Sequence, residues 1–98
     1  MAYFMEKLKA TPDGDGTLLD HVMIQYGSGS SDGNLHTHTD LPVFVAGGQT
    51  SGLRGGRHLR VPAGTPLNNL QVALLGRLGV PIDTLGDSTG SLQRLSDV

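Results

Sequence analysis

Two short apolar runs bracket a polar loop rich in histidine and aspartate, and this arrangement constrains the chain more than any other feature. The runs are Val22-Met23-Ile24-Gln25-Tyr26 and Leu41-Pro42-Val43-Phe44-Val45-Ala46. Between them lie Asp32, His36, His38 and Asp40. Each run has the length of a strand and is almost continuously apolar, the pattern of a strand covered on both faces, as in a parallel sheet. A loop that leaves one strand and enters the next is where an α/β protein places its working side chains.

The flanking segments supply helices. The chain opens with Met1, Phe4, Met5 and Leu8 on one helical face. No capping residue precedes this face, which predicts a helix already under way and a segment before it. Thr11-Pro12 ends the helix, and Asp13-Gly14-Asp15-Gly16 supplies turn chemistry. The acidic turn invites comparison with a calcium loop, but the further ligands of an EF-hand do not follow. Arg57-His58-Leu59-Arg60-Val61 alternates and predicts a half-exposed edge strand. Thr65 as N-cap and Pro66 at the first helical position open a second helix. Its leucines at 67, 70, 74, 75 and 78 form the stripe expected to clamp the sheet, with Gly79 as C′ residue and Pro81 blocking continuation. The tail from Pro81 to Val98 predicts a loop that ends in a short helical or frayed segment. The fold expected from these elements is α/β, a small, mainly parallel sheet with flanking helices, in one domain or a C-terminal fragment of a larger one.

Composition removes several functions. A net charge of -2 provides no basic footprint for nucleic acid. The absence of cysteine removes disulfides and thiolate metal sites. No apolar run approaches the ~20 residues that span a bilayer. With 15 glycines, short elements and generous loops are expected.

In an extended segment, side chains at i and i+2 point the same way, so His36 and His38 are candidates for a shared ion, with Asp32 and Asp40 beside them. Imidazole and carboxylate donors suit zinc, manganese or iron, and a closed shell takes three or four ligands. The other reading of the loop is structural, with its histidines bonded to backbone and tying two strands together. Arg57 and Arg60 are candidates for binding a phosphate, sulfate or carboxylate through the guanidinium fork, and surface arginines also serve solubility. Gly86-Asp87-Ser88 resembles the nucleophile block of one esterase class. Those enzymes carry it early in the chain, with a later Asp-x-x-His pair. Only ten residues follow here, without histidine, so a turn is expected.

The string YFMEKLKATPDGDGTLLDHVMIQYGSGSSDGNLHTHTDLPVFVAGG, followed by GGRH, the Thr65-Pro66 helix and GDSTG, resembles the C-terminal end of the bacterial HXXSHH family of exported proteins. The motif that names that family does not occur here. More distantly, Leu19-Asp20-His21 through Ser28, then Leu41-Pro42-Val43, then Pro66 to Pro81, is similar in order to the end of alkaline-phosphatase-like and sulfatase domains. In those domains the strand leads into a metal-binding S-D-H-G or S-D-N-G loop. Gly29 stands here where that loop has its aspartate, and Ser30 where it has histidine or asparagine. The resemblance implies an exported parent protein that hydrolyses phosphate or sulfate esters. It also implies a divalent metal (zinc, manganese or calcium), a small anionic substrate, and the remainder of the parent chain as partner. The alternative is a non-catalytic binding or structural domain that has lost its metal site.

Overall fold

The computed structural model describes residues 1–93. The chain divides into two compact units, Met1–Thr50 and Ser51–Val98.

In the first unit, helix α1 (Ala2–Ala10) ends where Thr11 turns extended. The Thr11 hydroxyl donates to the Lys7 carbonyl at 2.7 Å, satisfying one open C-terminal acceptor before Pro12. Strands β1 (Pro12–Asp13) and β2 (Gly16–Thr17) form a minimal antiparallel hairpin. Gly14 takes a φ of 61° at the first central position, as tight two-residue hairpin turns favour. Helix α2 (Leu18–His21) follows directly. Its lead-in is secured by the Asp20 carboxylate, which accepts from the Thr17 amide at 2.9 Å and from the Thr17 hydroxyl at 3.1 Å. Thr17 and Asp20 thus stand as the two ends of a capping box.

Strands β3 (Met23–Gly27) and β4 (Val43–Gly47) pair antiparallel, with Met23 opposite Gly47 and Gly27 opposite Val43. This corrects the mainly parallel sheet expected from the sequence. Both sheets among the described residues are two-stranded and antiparallel. The physical reason is connectivity. Parallel neighbours need a crossover connection, usually a helix, whereas residues 28–42 hold only a loop that returns the chain beside itself. The apolar runs are not doubly covered either. Tyr26 and Phe44 face each other across the ribbon and remain 59% and 45% exposed. Near-continuous apolar character therefore marks an open ribbon here.

The second unit is built on helix α3 (Asn68–Arg77). It starts later than Thr65-Pro66 predicts, because the Thr65 amide and hydroxyl both donate backward to the Pro62 carbonyl and form a turn instead of a cap. Its end matches the expectation. Gly79 has a φ of 81°, its amide donates to Gly76, and Val80 donates to Leu75 at 2.9 Å, the paired bonds of a Schellman motif. Of the leucine stripe, Leu74 is buried, Leu70 and Leu75 are half-buried, and Leu67 and Leu78 are exposed, while Val72 and, unexpectedly, Asn69 are also buried.

Asn69 holds the following loop through its side chain and backbone. The side-chain amide donates to the Thr89 hydroxyl at 3.0 Å, its oxygen accepts the Thr89 amide at 2.8 Å, and its carbonyl accepts the Leu92 amide. A buried amide without such partners would cost about 1–3 kcal/mol. Asn68 adds a bond to Asp87, and Ser88 closes the turn by accepting the Leu85 amide at 2.8 Å. Gly86-Asp87-Ser88 is therefore a turn, as expected. Residues 57–61 form no strand, so the expected edge strand is absent. The helical or frayed end expected of the tail falls largely on residues 94–98, outside the described residues.

Candidate functional site

The loop at residues 28–42 is held by its own polar groups. Ser31 and Thr37 form a small internal ladder. The Ser31 amide donates to the Thr37 carbonyl at 2.9 Å, and the two hydroxyls lie 2.8 Å apart. Asp32 pairs with Thr37 as an isolated bridge. Its Oδ1 accepts the amides of Asn34 and Leu35 at 2.9 and 3.1 Å, making an Asx turn. Much of the acceptor capacity that suggested a metal ligand is therefore spent on the loop's own backbone.

His38 Nδ1 lies 2.6 Å from the Gly29 carbonyl. A carbonyl only accepts, so Nδ1 carries the proton, and in the neutral ring Nε2 keeps its lone pair. A bond of this kind also orients metal-ligating and proton-accepting histidines. His36 and Asp40 adopt φ values of 55° and 54°, an uncommon conformation for residues other than glycine. All four candidates, Asp32, His36, His38 and Asp40, are exposed. Among the described residues, no group of three or more histidine, aspartate or glutamate side chains is arranged to hold a metal ion. A closed shell takes three or four ligands, so these residues do not by themselves fit one.

At the root of the loop, Tyr26, Gly27, Ser28, Pro42, Val43 and Phe44 line an open concavity of about 330 Å³. Gly27 is required at this point, because a Cβ there would come within 2.8 Å of the Pro42 carbonyl. The other two sequence candidates, Arg57 and Arg60, belong to the second unit. Arg57 donates from Nε to the Arg54 carbonyl at 3.1 Å, within its own turn.

A histidine–carboxylate constellation does form in the first unit, away from the residues that sequence reasoning selected. His21, at the end of α2, has Nδ1 2.7 Å from Asp13 Oδ2 and Nε2 3.1 Å from Asp15 Oδ1. The signal in the sequence was the Thr17-x-x-Asp20 capping box placed straight after two Asp-Gly pairs. That order turns the chain back and brings a residue near position 21 over the acidic turn. Comparison of the chain with protein-family models, with curated proteins and with solved structures found no match.

Proposed function

We propose that the chain is the loop-bearing part of a larger, exported protein of the HXXSHH kind, hydrolase-like toward phosphate or sulfate esters. In this reading His38 is the group that meets substrate or metal. The observation that carries it is the bond from His38 Nδ1 to the Gly29 carbonyl, which leaves Nε2 with an oriented lone pair on an exposed loop. Burial supports the need for further polypeptide. Val72 and Leu74 are the only buried hydrophobic residues among those described, and Tyr26 and Phe44 on the ribbon stay exposed. The remaining ligands, the nucleophile and the cover for Tyr26 and Phe44 then come from the rest of the parent protein.

A second reading has its own support. Gly29 replaces the aspartate of the metal-binding loop, and Asp32 is occupied with backbone amides. A non-catalytic domain that binds a partner through the same loop follows from those two facts.

A zinc titration of the chain, followed by nitrogen-15 NMR of the imidazoles, separates the readings. The first expects the His38 Nε2 resonance to respond at lower zinc than those of His36 and His58, with the response lost in His38→Ala and kept in His58→Ala. Equal responses from His36, His38 and His58 would overturn it in favour of the second.

A further inference from the structure

We propose that His21, gripped between Asp13 and Asp15, is a pH-operated clasp that fastens the β1–β2 turn to α2 when its ring is protonated and releases Asp15 when it is not. The inference stands apart from the ester-hydrolase reading and uses none of its residues.

Stoichiometry of protons carries the argument. Both ring nitrogens lie within hydrogen-bond distance of a carboxylate oxygen, at 2.7 and 3.1 Å. An ionised carboxylate only accepts, so both nitrogens must donate, and only the imidazolium has two N–H groups. A neutral ring keeps one donor. The shorter bond and the less exposed partner are on the Asp13 side, so the proton stays on Nδ1. The Nε2 lone pair then faces Asp15, a residue whose side chain is 94% exposed and can swing into water.

The surroundings favour the protonated ring. Asp13 and Asp15 face it from the hairpin, and Asp20 adjoins it on α2. Helix α1 packs against α2 and carries Glu6, Lys7 and Lys9, of which Lys9 acts on Asp20. Strands β2 and β4 bring no titratable side chain. The hydrogen bond to Asp13 raises the His21 pKa above its ordinary 6.5, desolvation opposes it, and the charges of Asp13 and Asp15 add to the rise. Because the folded value is raised, the clasp is complete below about pH 6.5 and is lost as pH climbs through that folded value.

Imidazole NMR of the whole chain from pH 5 to 9, with His21 assigned by His21→Gln, tests the device. The expected results are a His21 midpoint above 6.5, an Nδ1–H tautomer beyond it, and Gly14 and Gly16 amide shifts that follow the same curve. Asp13→Asn should lower the midpoint more than Asp15→Asn does. A midpoint at or below 6.5 in the unmutated chain, or turn amides indifferent to His21, would overturn the proposal even if the variants fold poorly.

Discussion

The turn that ends in His21 and the loop that holds His36 and His38 use the same residue types, but their carboxylates serve different partners. Around His21, Asp13 and Asp15 bond to the imidazole itself. In the longer loop, Asp32 bonds to the amides of Asn34 and Leu35, and His38 bonds to a carbonyl. The difference follows from what surrounds each aspartate. Asp13 ends β1 and Asp15 lies in the two-residue turn after it, and α2, which follows the hairpin directly, brings His21 within reach of both side chains. Asp32 opens a longer excursion, where free amides two and three residues on are the nearest donors. Density of chemical residue types along a sequence is therefore a poor guide to which of them meet.

Gly47 joins the two regions, and replacing it should have the largest effect. It has a φ of 80°, and a Cβ there would collide with the Val22 carbonyl and lie 3.1 Å from that of Leu19. Gly47→Ala should cost roughly 3 kcal/mol, the upper range for a strained left-handed residue, seen as a lower urea midpoint. Loss of shift dispersion at both His21 and His38 would show that the two turns share one support. Loss at His38 alone would separate them.

Next in size is Thr17→Ala, which removes a cap hydroxyl at the start of α2 and should cost about 1 kcal/mol. Its effect belongs to the His21 turn and should leave the His38 tautomer unchanged. Asp20 supplies a pH signature opposite to that of His21. The backbone hydrogen bond from Thr17, then the hydroxyl bond, lowers the Asp20 pKa below its ordinary 3.8. That contribution is present above about pH 3.8 and disappears as pH falls through the folded value. Adjacent residues thus report on one lead-in from the two ends of the pH scale, and stability followed from pH 2 to 9 should show both limbs.

Elements defined by local chemistry were legible in the sequence. Helix α1, the Asp-Gly turn and the Gly79 stop all rest on residues that act within four positions of themselves. Strand direction was not legible, because an apolar run marks a strand and says nothing of which way a neighbour runs. The burial of Asn69 on α3 was not legible for a related reason, since its bonds to Thr89 are invisible at the helix. In the long loop the role of Asp32 was not legible, since a carboxylate two residues before free amides has a partner already in hand. The His21 constellation escaped notice because its members stand eight and six residues apart, with a hairpin between them.

The smallest expected effect gives the sharpest contrast between the two regions. If Asp32 serves only the backbone of its loop, the side-chain oxygen that accepts the Asn34 and Leu35 amides is all that is needed. A carboxamide in place of the carboxylate retains that oxygen, so Asp32→Asn should leave amide exchange at Asn34 and Leu35 near its unmutated rate. Asp32→Ala should speed that exchange and cost about 0.5 kcal/mol, the low end for an exposed hydrogen bond. At the other turn charge is essential, so Asp13→Asn should not be silent and should shift the His21 titration. Should Asp32→Asn instead behave like Asp32→Ala, the negative charge of Asp32 would be in use, and the loop would have to be regrouped with the His21 turn as a place where carboxylate and imidazole work together.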